Sequence, residues 1–496
     1  MNLTEDLENR INPEKNRNFA PQEFSKRLLK LRKFAEFHWS AWNGIRISVV
    51  GTNGKGSVSH YLSELFRAGG YCTGVYSSPH LQHYSERIRI DGKNEQSTLE
   101  DGYDSLRQTF LDYDSKLWAD LSYFELLSLL SMEIFQKKRI PVQIYEAGLG
   151  GRLDATSLCN PNVVLITRIA LDHMALLGKT RSAIFAEKLG ISGPDSRIFY
   201  LMECRYEPLA RRILDELRTP EATGQNRILS FDSHLTESHS MPRHSESPSG
   251  YLNQNFQFAK WIVSDLVDAA LTARPQNLDS ASGPSGLQSL LQSPVAENDT
   301  EELYGASTAI VGPDNSETNS ETNSNQKRLA KLMQSLDSTE FQDLQVPAGR
   351  MMDIRFKGFR WIYDSGHNPA SLHTVLSTFS DPPLLVLGIL PDRSYPHFLR
   401  VARWKGLKDV FCIEREGLAQ PPGSDETAVQ NQSNDSLQSR QTAMRLRTVA
   451  ATSADSIRDQ VLNCARQNQY STILFTGSYR IYDLFLEILG PDRVHA

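Results

Sequence analysis

The most constraining stretch of this sequence is Ile45-Arg-Ile-Ser-Val-Val50, which runs directly into Gly51-Thr-Asn-Gly-Lys-Gly-Ser57. Val58, Tyr61, Leu62, Leu65 and Phe66 then recur at helical spacing. A β-branched run bounded by glycine reads as a strand, and the three-to-four-residue apolar period reads as a helix. Strand, glycine-rich turn and helix in that order predict an α/β arrangement with the loop at the strand's carboxyl end. Glycines let backbone N–H groups close around a phosphate, and a helix N-terminus adds partial positive charge. Lys55 supplies a full charge, and Ser57 offers a hydroxyl to Mg²⁺. The spacing is shorter than the common GxxxxGK[ST]. Taken alone, it is also that of a glycine-rich turn with a surface lysine.

The alternation continues. Thr73–Ser77, Pro141–Tyr145 and Asn162–Thr167 have strand length and apolar content, and Leu121–Lys138 carries a buried-face helix pattern. Residues 275–326 are rich in Ser, Gly, Asn, Pro and Gln and contain the near-repeat Asn315-Ser-Glu-Thr-Asn-Ser-Glu-Thr-Asn-Ser324. Such composition buries too little apolar surface to offset ordering entropy, so the stretch is expected to be disordered. Residues 232–249 and 417–443 read as smaller polar insertions. Strand-like runs resume at Phe359–Tyr363, Pro383–Leu387, Val410–Ile413 and Thr472–Phe475. The expected organisation is an N-terminal α/β domain over 1–274, an insertion and linker over 275–345, and a second, smaller α/β domain over 346–496.

Lys and Arg total 53 against 59 Asp and Glu, a net charge of −6 over 496 residues. That balance argues against a nucleic-acid-coating protein. No run approaches the roughly 18 apolar residues of a membrane span. The first ten residues lack the pattern of a secretory signal. The five cysteines are widely spaced with no CxxC pair, which fits a reducing compartment. The expectation is a monomeric cytoplasmic protein with small-molecule substrates and no nucleic-acid or membrane partner.

The loop ending Gly-Lys-Gly-Ser resembles that of the folylpolyglutamate synthase/dihydrofolate synthase branch of the Mur ligase superfamily. Further blocks follow in that family's order: Ser77-Ser-Pro-His-Leu81, Glu86-Arg-Ile88, Tyr123-Phe-Glu125, Glu146-Ala-Gly-Leu-Gly-Gly-Arg-Leu-Asp-Ala-Thr156 and Leu171-Asp-His173. Glu187-Lys-Leu-Gly-Ile191, Gly349-Arg350, Asp364-Ser-Gly-His-Asn-Pro369 and Gly477-Ser478 complete the series. The resemblance spans roughly residues 45–480 apart from the insertions. It implies a Mur-ligase-like fold: an N-terminal P-loop ATPase domain with a mostly parallel sheet, plus a smaller Rossmann-like C-terminal domain.

The resemblance also implies roles. Asn53, Gly54, Lys55, Gly56, Ser57, Asn255, Arg350 and Asp364 would bind ATP. Ser78, Glu146 and His173 would hold Mg²⁺, with two metal sites expected. Ser122, Leu153 and Asp154 would line the folate. Lys55, Lys188 and His367 would be catalytic, with Lys188 carbamylated. Each has a plainer reading. Ser78 can cap a turn, and His173 can be a satisfied core histidine. Arg152 can pair with Asp154, Lys188 with Glu187, and Asn255 can cap a helix. Leu189 and Ser365 depart mildly from the family pattern.

The implied reaction is ATP-dependent addition of L-glutamate to a folate through an acyl phosphate, and addition to dihydropteroate as well. Phe24-Ser-Lys-Arg-Leu-Leu29 lacks the Asp-Leu-Gly-Leu-x-Arg-like stretch of some bifunctional relatives, which weakens the dihydropteroate half. The alternatives are folylpolyglutamate synthase alone or another Mur-type amino-acid ligase. A nucleotide-binding protein without chemistry, or a scaffold acting through 275–326, are the readings outside that class.

Overall fold

The computed structural model describes residues 2–12, 21–39, 41–42, 44–217, 226–232, 250–272, 317–422, 444–451 and 453–490. Nearly all of the three expected polar insertions falls outside these residues. Two compact units are present: Met1–Met241 with Asn255–Leu344, and Pro242–Gln254 with Gln345–Ala496.

The first unit is built on seven strands: β1 (Ile45–Val50), β2 (Thr73–Tyr76), β3 (Ile88–Ile90), β4 (Val142–Glu146), β5 (Val163–Ile166), β6 (Ile198–Leu201) and β7 (Arg227–Ser230). Their order is β3-β2-β4-β1-β5-β6-β7. All neighbours are parallel except β2 and β3. Strand β1 is central and fully buried, as a parallel strand covered on both faces must be. Alternate residues serve opposite faces. Ile45, Ile47 and Val49 join a core with Val58, Leu62 and Phe66 of the helix Lys55–Ala68 and with Phe256 and Ile262 of the helix Gly250–Thr272. A second core gathers Tyr76 and Tyr145 with the helices Pro21–His38, Gln96–Asp120 and Tyr123–Lys137. In register, Val49 lies opposite Glu146 and Val50 opposite Ile166. The carboxyl ends of β4, β1 and β5 are therefore level, which is where ligands gather in such sheets.

Part of the expected linker is ordered. The helix Glu317–Ser338 begins inside the stretch expected to be disordered. Leu329, Leu332 and Leu336 of this helix are buried in the first unit's core. Their three-and-four spacing is a helical apolar stripe. The polar composition averaged across 275–326 hides it, because the stripe starts just beyond. Gly69 makes room for the contact: a Cβ there would lie 2.2 Å from Leu332 Cδ1.

The second unit holds β8 (Met352–Phe356), β9 (Phe359–Asp364), β10 (Leu384–Leu387), β11 (Asp409–Glu414), β12 (Arg445–Ala450) and β13 (Thr472–Thr476) in the order β12-β11-β10-β13-β9-β8. Only the β8–β9 pair is antiparallel. Asp364 and Thr476 are register partners at the carboxyl edge.

Replacing Leu332 by Ala should cost the first unit about 2–5 kcal/mol, the range for truncating a fully buried leucine. Urea unfolding followed by tryptophan fluorescence checks this. An unchanged midpoint would detach the helix from the core.

Candidate active site

The chain leaves β1 at Gly51, whose φ of 149° lies in the positive region. A Cβ at Gly51 would fall 1.9 Å from Thr167 Oγ1, so only glycine fits this close approach. The Thr167 hydroxyl lies 3.2 Å from the Val50 carbonyl and 2.9 Å from that of Asn53, placed to donate to either. The Thr52 and Asn53 amides donate to the Arg168 carbonyl at 2.9 and 3.3 Å, so the Asn53 N–H is spent on the segment just after β5 rather than offered to a ligand. Gly54, at φ 94°, caps the helix that Lys55 opens. Lys55 Nζ donates to the Gly51 carbonyl at 3.2 Å. Ser57 Oγ is buried with no hydrogen-bond partner. Asn255 lies inside the helix Gly250–Thr272, so it is not that helix's cap. Its amide adjoins Gly54, with Oδ1 3.0 Å from where a Gly54 Cβ would be. Asn255 is buried and its Nδ2 has no partner. Buried polar atoms left unpaired are costly, and these two stand at the mouth of the phosphate loop.

Lys188, in the last turn of the helix Arg181–Leu189, is buried. Its Nζ donates to the same Gly51 carbonyl at 2.8 Å. Burial, then the charge of Lys55, pushes its pKa well below the ordinary lysine value. The plainer surface pairings are not the ones formed. Glu187 pairs with Arg152 at 3.1 Å, and Asp154 serves as a cap. Gly151 lets the glycine-rich loop meet this helix: a Cβ there would lie 2.3 Å from the Lys188 carbonyl oxygen.

Glu146 ends β4, is buried, and stands beside Gly56, whose Cβ would lie 3.4 Å from Oε2. The Ser78 amide donates to the same Oε2 at 3.4 Å. The structure thus joins Ser78 and Glu146 through the Ser78 backbone. His173 lies beyond β5 in a left-handed conformation, with Nε2 3.9 Å from Asp172 Oδ1. Among the described residues, no group of three or more His, Cys, Asp or Glu is arranged to hold a metal. The Glu146 carboxylate and the orphaned Ser57 hydroxyl are hard oxygen donors, and Mg²⁺ needs few protein ligands beside water and phosphate oxygens. The residues present fit such an ion.

Each of the three residues expected at the folate has a defined place in the first unit. Ser122 caps the helix Tyr123–Lys137. Its hydroxyl donates to Glu125 Oε2 at 2.6 Å, and Glu125 is held by Arg27 at 2.8 Å. Asp154 caps the short helix Ala155–Cys159 and accepts from Thr156 Oγ1 at 2.6 Å and the Leu149 amide at 2.8 Å. Burial raises its pKa against those hydrogen bonds. Leu153 is half-buried against the second core. The polar atoms of Ser122 and Asp154 are thus committed within the protein. Phe124, read from the sequence as part of a buried helix face, lies against Gly148, whose Cβ would be 2.6 Å from its ring.

In the second unit, Asp364 ends β9 and is buried. It accepts from the Gly366 amide at 2.8 Å, the Met351 amide at 3.2 Å and the Tyr251 hydroxyl. Arg350 Nη1 is 3.8 Å from Asp364 Oδ1. His367 is half-buried in the turn before Asn368, which caps the helix Pro369–Leu376. Thr167 and Tyr251 escaped the sequence reading. A threonine at a strand end and a tyrosine in a helix's first turn carry no signal of their partners.

Comparisons with known proteins agree with this architecture. No family model matches the chain. The dihydrofolate synthase/folylpolyglutamate synthase of Escherichia coli (strain K12) is 42% identical over 145 residues, 29% of this chain and 33% of that protein. The folylpolyglutamate synthase of Lacticaseibacillus casei is 33% identical over 156 residues, 30% of this chain and 35% of that protein. The matched stretch therefore spans about a third of these relatives' length. Among solved structures, E. coli FolC in complex with ADP superposes with a TM-score of 0.60 at 19% identity, covering 99% of this chain and 97% of that one. Folylpolyglutamate synthase of Mycobacterium tuberculosis complexed with ADP and AMPPCP gives 0.61 at 19%, covering 94% and 95%. The fold is that of the Mur-ligase-like α/β proteins. Over the matched third the chain is similar in sequence to proteins named dihydrofolate synthase/folylpolyglutamate synthase, and over nearly its whole length it shares the fold of the solved structures.

The lowered pKa of Lys188 fixes a sign. Where the unfolded chain binds the proton and the folded one does not, stability rises with pH. The cost of burying this ammonium is full below its folded pKa and vanishes towards the ordinary value near 10.5. In bicarbonate-free buffer, Lys188→Met should be more stable than wild type at neutral pH, with the gap closing as pH rises. Thermal melts from pH 6 to 10 measure this, and a pH-independent gap would contradict it.

Proposed function

We propose that the protein is an ATP-dependent ligase that joins L-glutamate to a folate. The observation carrying this reading is the convergence of Lys55 and Lys188 on the Gly51 carbonyl, beside the Glu146 carboxylate and two orphaned polar atoms of Ser57 and Asn255. Support also comes from the relatives, which carry the names of folate–glutamate ligases.

The acceptor's carboxylate oxygen attacks the γ-phosphorus of ATP, ADP leaves, and an acyl phosphate forms. The glutamate amino nitrogen then attacks the acyl carbon. Phosphate departs, and the amine loses a proton as the amide forms. Two anions must meet, so the site's task is positioning and charge compensation. Lys55 and the helix N-terminus behind it carry positive charge to the phosphates. Asn255 offers its amide, and in the second unit Arg350, Asp364 and His367 serve the nucleotide and the transfer. Glu146, with Ser57, Ser78 and His173, would hold magnesium, which when bound offsets phosphate charge.

Lys188 is suited to carbamylation. Its lowered pKa keeps a share of the amine neutral, and the neutral nitrogen lone pair attacks CO₂, releasing a proton and leaving an anionic carbamate. A second magnesium ion beside that carbamate belongs to the same reading. Dihydropteroate as a further acceptor, monomeric state and cytoplasmic location complete the proposal. No helix among the described residues is long and apolar enough to cross a membrane.

The test is ADP release with MgATP and L-glutamate, in the presence of tetrahydrofolate, dihydropteroate or neither. Release with both acceptors is expected. Release with tetrahydrofolate alone would mark a folylpolyglutamate synthase, and no acceptor-dependent release would overturn the ligase reading. Lys55→Ala should lower release by about 10²–10³-fold, the cost of removing one charge-stabilising donor. Near-normal turnover would remove Lys55 from the reaction.

A further inference from the structure

Glu203 is a buried carboxylate that neither the proposed reaction nor its own helix uses. It stands just before the short helix Cys204–Tyr206, and its side chain does not cap that helix. A carboxylate at a helix start is well placed to serve the helix's free N–H groups. Here Oε2 instead accepts from the Ile169 amide at 2.9 Å, 34 residues earlier in the chain, while Oε1 pairs with Arg205. Strands β5 and β6 run side by side, with Ile166 opposite Leu201, so Glu203 reaches Ile169 from the end of the neighbouring strand. A charge-assisted bond of this kind is stronger than one between neutral groups.

Ile169 is the middle of a three-residue bridge between β5 and the phosphate loop. Before it, the Arg168 carbonyl accepts from the Thr52 and Asn53 amides, and Asn53 and Arg168 pair as an isolated antiparallel bridge. After it, the Thr52 hydroxyl donates to the Ala170 carbonyl at 3.2 Å and accepts from the Ala170 amide at 3.1 Å. Consecutive residues are thus tied to the phosphate loop, to Glu203, and to the loop again. Beyond Ala170 the same stretch runs into Asp172 and His173, whose amide donates to Asp172 Oδ1 at 2.8 Å. Moving Ile169 would carry the Arg168 carbonyl with it, and with that carbonyl the Asn53 amide, two residues before Lys55.

We propose that Glu203 and Thr52 are positioning residues for the phosphate loop. Glu203 fixes the bridge Arg168–Ala170 from outside, and Thr52 clasps its far end from within the loop. Neither acts on a phosphate directly: the Thr52 hydroxyl is spent on Ala170, and a carboxylate repels an anion. Their effect is on where the loop's amides and Lys55 stand when a polyphosphate arrives. A loop released from the bridge drifts to positions in which those donors miss the phosphate oxygens. The proposal rests on the ligase reading for what the loop holds. Because the two side chains grip adjacent residues of one bridge, their contributions are coupled rather than independent.

Full-length Glu203→Ala, Thr52→Val and the double variant are compared with wild type, with Glu203→Gln and Thr52→Ser as conservative controls. Thermal melts check that each is folded, and Thr52→Val, which keeps the side chain's shape, carries the test where Glu203→Ala is too unstable to assay. The probe is N-methylanthraniloyl-ADP with magnesium, read by its fluorescence. Each single variant should bind it about tenfold more weakly, the scale of one lost hydrogen bond. The double variant should be no more than about twofold weaker than the poorer single, because both release the same bridge. The conservative variants each keep an oxygen at the contact and should stay within about threefold of wild type. In turnover, KM for ATP should rise with the probe's Kd while KM for tetrahydrofolate stays within about twofold. Unchanged probe affinity in Thr52→Val or in folded Glu203→Ala, losses that multiply in the double variant, or conservative variants as weak as the truncations would overturn the inference. The expected affinity pattern in a protein without acceptor-dependent ADP release would uphold the positioning role and defeat the ligase reading.

Discussion

The structure turns on the carbonyl of Gly51. It is the first acceptor beyond the central strand, and two lysine ammonium groups share it. One comes from the helix that follows the strand, the other from a helix well over a hundred residues later. Two like charges on one acceptor is an expensive arrangement unless one of them gives up its proton. Burial places that burden on Lys188. The sheet makes the meeting possible, because parallel register brings the ends of β4, β1 and β5 to one level.

Much of the fold was legible because central parallel strands are continuous apolar runs. Ile45–Val50, Val163–Ile166 and Leu384–Leu387 are buried along their whole length, and each announces itself in the sequence. The strands that escaped notice are mostly at edges. Ile88–Ile90, Arg227–Ser230, Met352–Phe356 and Arg445–Ala450 stand outermost in their sheets and carry charged, part-exposed residues, the usual dress of an edge. Ile198–Leu201 is the interior exception. The helix Glu317–Ser338 was hidden because its polar beginning lies in a low-complexity run.

The site was legible in residue type and not in partnership. Lys55, Glu146 and Lys188 lie at the carboxyl edge of the sheet because each stands where a strand or helix ends against β1. Ser122 and Asp154 carry the right atoms for a ligand, yet a capping geometry uses those atoms locally. Ser122-Tyr-Phe-Glu125 has the form of a capping box, and the structure shows that local claim satisfied first. Whether Arg152 meets Asp154 or Glu187 is decided by the approach of the glycine-rich loop to the Lys188 helix. No spacing in the chain encodes that choice.

The lock that Thr167 places on the phosphate loop has a further consequence. Its hydroxyl reaches carbonyls on both sides of Gly51, and its side chain occupies the volume a Cβ at Gly51 would need. The loop is thus shaped by the neighbouring strand before any ligand arrives. In the nucleotide complex proposed above, little backbone freedom would remain to be lost on association, so contacts with the phosphates would not be spent on ordering the chain that makes them.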